Sequence, residues 1–97
     1  MKKWKKRMIS ECMDSVDWDE VHDMYVRMGW QWWMPTDDTM RVPQVDDLKR
    51  NAKIALKHVM RKKLLFYGSG RILAVRMGDT LMLSFGDDYI VNKEELD

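Results

Sequence analysis

The heptapeptide GWQWWMP, residues 29–35, holds three of the five tryptophans of this 97-residue chain. Aromatic side chains favour extended backbone, and successive side chains of a strand point to opposite faces. The pattern predicts a short strand in which Trp30 and Trp32 share one face and Trp33 lies on the other. Burial of one face alone cannot cover all three rings. We therefore expect Trp30 and Trp32 in the core and Trp33 on a partner-binding surface.

A helix is predicted just before this strand. Asp17 and Glu20 have the spacing of a capping box, and Gly29 is a typical helix C-terminal residue, so the helix should run to about Met28. Its apolar stripe has helical spacing and consists of Val21, Met24, Tyr25 and Met28.

A second helix is predicted after the strand, from about Val45 to Lys62 or Lys63, with the proline-containing stretch 34–43 between them as a loop. Helical periodicity gives it two opposite faces. The apolar face consists of Leu48, Ala52, Ala55, Leu56 and Val59. The basic face consists of Arg50, Lys53, Lys57 and Arg61.

A hairpin is predicted over residues 71–85, after a flexible joint at Gly68 and Gly70. We expect Leu73 and Val75 to face inward with the apolar residues of the second strand, Leu81, Leu83 and Phe85. That arrangement requires a loop with an odd number of residues, which a three-residue loop containing Gly78 provides. A further extended piece is predicted at residues 89–91.

Together these elements predict an α+β fold in the order α-β-α-β-β. Two amphipathic helices packed on one face of a small antiparallel sheet would bury every apolar stripe. The length indicates a single domain over residues 1–97, with a core at about 10–92. Residues 1–9 contain five basic residues and read as a flexible leader.

Composition and charge place the chain among cytoplasmic proteins. Seventeen basic and sixteen acidic residues nearly cancel, so net charge favours no polyanionic partner. Cys12 is the only cysteine, which excludes an internal disulfide and favours a reducing compartment. We expect no signal peptide, because no apolar stretch follows the basic start, and no contact with a membrane.

The chemistry-bearing residues form no recognisable catalytic or metal motif. Cys12 and His22 are the only candidate nucleophile and base, and neither lies in a known pattern. The aspartate pairs at 37–38, 46–47 and 87–88 lack the spacing of a calcium loop and suit turns and helix starts. We therefore predict a protein that is not an enzyme and uses no cofactor or metal.

Three blocks carry a family resemblance: MGWQWW at 28–33, RVPQVDDLKRNA at 41–52 and YGSGRILAVRMGDTLMLSF at 67–85. Together they resemble a family of short, mostly uncharacterised proteins encoded by phages and prophages. That family often has threonine after Val-Pro as a helix N-cap, where this chain has Gln44. The resemblance implies a mobile-element origin and a protein that binds and inhibits a host component, such as a CRISPR effector.

Protein binding is the function that the residues favour. Hot spots of protein interfaces are rich in Trp and Arg, and methionine adapts to varied surfaces. The predicted contact residues are Trp33, Met34, Met40, Arg41, Arg50, Lys53, Lys57 and Arg61. The partner would be a host protein, and a homodimer is a further possibility, with the acidic helix of one copy against the basic helix of another.

Two other functions remain open. The basic leader and the basic face of the second helix could follow a nucleic-acid backbone while tryptophans stack on bases. Alternatively, an oligomer could enclose a host signalling nucleotide. The residues for that sponge function would be Trp32, Trp33, Arg41 and Arg71.

Overall fold

The chain folds into three helices and two small antiparallel sheets, as seen in a computed structural model that describes residues 1–86. The helices are α1 (Lys3–Asp14), α2 (Trp18–Met28) and α3 (Val45–Lys62). The strands are β1 (Trp32–Met34), β2 (Thr39–Arg41), β3 (Phe66–Ser69), β4 (Ile72–Met77) and β5 (Thr80–Phe85). The α+β class is confirmed. The order is α-α-β-β-α-β-β-β, with one helix and two strands beyond those predicted.

The two predicted helices begin and end where their capping residues place them. The Asp17 carboxylate accepts a hydrogen bond from the Glu20 backbone N–H, and Gly29 ends α2 in the left-handed region at φ 69°. At the start of α3, Asp47 reaches back to accept the backbone N–H of Gln44 at 3.0 Å. Asp47 thus acts as the third helical residue of a capping box whose N-cap is Gln44.

All three helices pack on one face of the β3-β4-β5 sheet and form two apolar clusters. The first cluster brings α1 and α3 against β4 and β5; its buried residues are Ile9, Cys12, Ala55, Leu56, Val59, Met60, Ala74 and Leu81. The second brings α2 and α3 against β4; its buried residues are Trp18, Val21, Tyr25, Leu48, Ala52 and Ile72. The predicted apolar face of α3 is fully used in these clusters.

The basic leader is a helix, which corrects the expectation of a flexible segment at 1–9. Helix α1 begins at Lys3, and its Ile9 is only 3% exposed. Apolar residues at positions 8, 9, 12 and 13 give α1 one apolar side, which packs on α3 and β5. Burial of that side offsets the cost of ordering a lysine-rich segment.

The loop at 34–43 and the joint at 68–70 are also more ordered than predicted. Strand β2 pairs with β1 and forms a two-stranded ribbon. Strand β3 pairs with β4 across a two-residue turn, Gly70–Arg71, in which both residues have positive φ. This φ combination is typical of a type I′ hairpin turn, which matches the twist of paired strands.

The register of the β4–β5 hairpin corrects the predicted inward face. Met77 pairs with Thr80, so the loop has two residues, Gly78 and Asp79, rather than three. The β4 residues that share a face with Leu81, Leu83 and Phe85 are consequently Ile72 and Ala74. Leu73 and Val75, the pair predicted to face inward, lie on the opposite face, where Leu73 is nevertheless only 6% exposed.

That opposite face of the sheet carries apolar side chains as well. Phe66, Val75 and Met82 form one row across the three strands, and Met82 is 49% exposed. The extended piece predicted at residues 89–91 lies outside the described residues.

Candidate partner-binding surface

An exposed apolar pair marks the outer side of the β1–β2 ribbon. Trp33 and Met40 lie directly opposite each other, and 54% and 56% of their surfaces are exposed. Alternation along β1 turns Met34 to the other side, where it is 7% exposed. Two of the three apolar residues predicted for partner contact are therefore available, and Met34 is not.

The inner side of the ribbon is tied to the turn between β3 and β4. The Trp32 indole N–H donates to the Gly70 carbonyl at 2.9 Å, and the Tyr25 hydroxyl donates to the same oxygen at 2.7 Å. The Arg71 guanidinium lies over the Trp30 ring at 4.6 Å from its centroid. Trp30 and Trp32, predicted in the core, pack against the second cluster but are only partly buried. The inner side of the ribbon is therefore fixed to the rest of the fold, while Trp33 is exposed on its outer side.

Arg41 lies at the end of the ribbon, in a short chain of charges that leads to α3. Its guanidinium is 3.7 Å from a carboxylate oxygen of Asp37 and 3.6 Å from one of Asp47. Asp47 also pairs with Arg50 at 3.4 Å. A hydrogen bond from the Thr39 hydroxyl, helped by Arg41, lowers the pKa of the exposed Asp37 carboxyl. Asp47 therefore links the ribbon to the first residue of the predicted basic face.

The rest of that basic face lines a groove between α1 and α3. Lys53, Lys57 and Arg61 form its α3 wall, and Lys6 joins them from α1. Arg50 makes its contact at the Asp47 end instead. Sequence reasoning missed Lys6, because residues 1–9 were taken as flexible. The spacing of Met8, Ile9, Cys12 and Met13 was the signal that could have placed Lys6 on a helix.

The residues predicted for a nucleotide site are divided between the two sides of the ribbon. Trp32 and Trp33 point to opposite sides of β1, and Trp32 is held on Gly70. Arg71 stacks on Trp30 rather than beside Trp33. Arg41 is engaged with two carboxylates. Trp33 is therefore separated from Arg71, whereas Trp32 and Arg41 are cross-strand partners on the inner side of the ribbon.

The remaining reactive side chains lie apart from these surfaces. Cys12 is buried in the first cluster, and burial raises the pKa of its thiol, the opposite direction from an activated nucleophile. Within residues 1–86, no three His, Cys, Asp or Glu side chains are grouped as metal ligands would be. No helix in the described part of the chain is long and apolar enough to cross a membrane.

Comparison with known proteins adds no assignment to this geometry. No family model, no curated protein and no solved structure matches the chain.

Proposed function

We propose that this protein acts by binding a host protein and inhibiting it, with the outer side of the β1–β2 ribbon as its main contact. The observation that carries the proposal is the exposed cross-strand pair of Trp33 and Met40. A tryptophan beside a methionine offers a large apolar area that can adapt to a partner. Arg41 follows Met40 but shares the inner side of the ribbon with Trp32 and pairs with Asp37 and Asp47, so the outer contact rests on Trp33 and Met40.

Anchoring of the ribbon supports this use. Binding costs less free energy when the contact surface is already ordered. The hydrogen bond from Trp32 to the Gly70 carbonyl ties the base of the ribbon to a turn that Tyr25 of α2 also holds. The exposed ring of Trp33 therefore needs little further ordering on association.

The biological setting comes from the resemblance to phage and prophage proteins. Small proteins of that kind commonly disable host machinery, so the proposed partner is a bacterial protein in the host cytoplasm. A defence component such as a CRISPR effector is the class to test first. Inhibition would follow from occlusion of a working surface, since no catalytic role is proposed for this chain.

Affinity capture with matched variants tests the proposal. The tagged protein is mixed with bacterial lysate, and bound proteins are identified by mass spectrometry. With Trp33→Ala, the amount of captured partner should fall by about tenfold or more. The reason is that a hot-spot tryptophan contributes about 2 kcal/mol or more to binding. Met28→Ala is the matched control, because Met28 is 58% exposed on α2 and outside the ribbon. It should retain the partner.

Four results would contradict the proposal. Trp33→Ala could retain the partner, or Met28→Ala could lose it equally. Retention of nucleic acid in place of protein would favour the nucleic-acid function. Release of a small nucleotide on heating would favour the sponge function.

A further inference from the structure

The groove between α1 and α3 is a second surface with its own charge and shape. It has a volume of about 640 Å³ and runs along two turns of α3, where Lys53, Lys57 and Arg61 follow one another at every fourth residue. Lys6 faces them from α1. Four cations therefore line one groove in a chain whose net charge is only +1.

These cations are not neutralised within the described part of the chain. None of the four forms an ion pair there, whereas Arg41 and Arg50 on the ribbon side do. Asp14 is the single carboxylate among the described lining residues. Like charges so placed repel one another, and an anionic ligand would relieve that repulsion.

Apolar side chains line the groove beside these cations. Ile9 and Met13 of α1 contribute, with Ser10 between them and Met13 only partly buried against both clusters. Apolar and cationic side chains in one groove are complementary to a ligand that has an apolar stripe flanked by anionic groups. Two neighbouring helices also form a natural seat for a third helix.

The spacing of the cations matches a helical ligand. Residues four apart on α3 are separated by about 6 Å along its axis, because each residue rises about 1.5 Å. A second helix with carboxylates at every fourth residue repeats the same distance. It could pair successive carboxylates with Lys53, Lys57 and Arg61 while its apolar stripe lies on Met13.

A nucleic acid fits the groove less well. Base stacking on aromatic rings is a large part of single-strand binding, and no aromatic side chain is among the described lining residues. Phosphates would also gain nothing from the apolar side chains that line the groove. The contact with Met13 favours a protein segment over a phosphate backbone.

We propose that this groove binds an acidic amphipathic helix of a partner protein. The carboxylates of that helix pair with Lys6, Lys53, Lys57 and Arg61, and its apolar stripe covers Met13 and the edge of Ile9. The proposal rests on the proposed function only in that the partner is a protein. It names a site separate from Trp33 and Met40.

A labelled synthetic peptide tests the groove without knowledge of the natural partner. The probe is a helix-forming peptide with leucine at positions i, i+3, i+4 and i+7 and glutamate at the flanking positions. Binding to the full chain is measured by fluorescence anisotropy. A second peptide with glutamine in place of every glutamate should bind at least about tenfold more weakly, because charge complementarity is lost.

Charge reversal on the protein provides the matched variants. Lys53→Glu with Lys57→Glu should weaken binding of the glutamate peptide by about tenfold or more. Lys49→Glu with Lys62→Glu makes the same change in charge on exposed residues of α3 outside the groove lining. It should weaken binding by no more than about threefold, through long-range attraction alone. Trp33→Ala should leave peptide binding unchanged, which separates this proposal from that for the ribbon.

Several outcomes would overturn the inference. They are equal binding of the two peptides, equal effects of the two double variants, and tighter binding of a single-stranded oligonucleotide than of the glutamate peptide. A dimer in sedimentation that the Lys53 and Lys57 reversal dissociates would show that a second copy occupies the groove. Far-ultraviolet circular dichroism checks that each variant folds, and the peptide comparison on the unchanged protein stays decisive if one does not.

Discussion

Gly70 lies in the turn that contacts the inner tryptophans of the GWQWWMP segment. Its carbonyl accepts hydrogen bonds from Tyr25 and Trp32, and its Cα faces the Trp32 ring so closely that an added Cβ would lie 2.8 Å from two ring carbons. The neighbouring Arg71 guanidinium covers Trp30. Trp30 and Trp32 thus have a structural role, which leaves Trp33 as the ring that the fold does not use.

Replacement of Gly70 should therefore cost more stability than replacement of a comparable turn glycine. In Gly70→Ala the left-handed φ of 63° costs about 1–2 kcal/mol, and overpacking against Trp32 adds about 1–3 kcal/mol. Gly78 is the control, because its φ is 61° and nothing lies within 4 Å of an added Cβ. Gly78→Ala should therefore lose only the stability that the left-handed φ costs, about 1–2 kcal/mol. Urea unfolding measures both, and equal losses would contradict the close approach of Trp32.

Cys12 offers a second prediction for a single residue. Burial raises the pKa of its thiol, so at any given pH less of it is the reactive thiolate than in a free cysteine. At mildly alkaline pH, a thiol reagent should modify the native protein at least about tenfold more slowly than the urea-unfolded protein, since reaction requires local opening. The rate is measured from the absorbance of the thiolate that the reagent releases when it reacts. Equal rates in the two states would mean that α1 does not hold Cys12 against α3 and β5.

At the level of elements, α1 changes the interpretation of the basic N-terminal segment. Its charged side chains face outward while Ile9 and Cys12 complete the first cluster. The helix therefore does two things, since it closes one side of the core and carries Lys6 to the groove. A flexible leader could do neither.

Truncation of Ile9 tests whether α1 is part of the core. Ile9→Ala should reduce the free energy of unfolding by about 2–4 kcal/mol, because it removes buried methyl groups and leaves a cavity. Arg7→Ala is the control on the exposed side of the same helix and should change it by about 0.5 kcal/mol or less. Chemical denaturation compares the two. If Ile9→Ala left the free energy of unfolding unchanged, residues 1–9 would not be part of the core.

Local signals explain which elements could be predicted from the sequence. The capping pattern of Asp17, Glu20 and Gly29 and the apolar periodicity of α3 are encoded within a few residues, and both helices were predicted correctly. Strands β2 and β3 depend on pairing with β1 and β4, and their short segments carry little pattern of their own. For β4, alternation offered two faces, and the choice of Leu73 and Val75 over Ile72 and Ala74 required an odd-numbered loop that the chain does not form.

The candidate surfaces also divide into features that a local pattern encodes and features that depend on long-range packing. Exposure of Trp33 followed from alternation along one strand, and the basic face of α3 followed from helical period. The burial of Met34 follows from the same alternation, which a loop assignment after Trp33 had hidden. Convergence of Lys6 with Lys53 depends on how two distant helices pack, which no local pattern contains.

For the molecule as a whole, α3 is the element that joins the two apolar clusters. Leu48 and Ala52 belong to the second cluster, while Leu56 and Val59 belong to the first. Leu83 of β5 packs against both. Loss of either cluster removes support from the helix that the other needs, so we expect the chain to unfold as one unit.

Two probes of unfolding can test this coupling, because three of the tryptophans belong to or pack against the second cluster. Leu56→Ala removes volume only from the first cluster and should cost about 2–5 kcal/mol. If the clusters are coupled, the shift should be the same for tryptophan fluorescence, which reports mainly on the second cluster, and for far-ultraviolet circular dichroism, which reports on all helices. Leu48→Ala, the matched change in the second cluster, should also shift both signals together. A fluorescence transition that stays in place in Leu56→Ala would instead mean that the half of the molecule carrying the ribbon folds without α1, and that the groove and the ribbon can open separately.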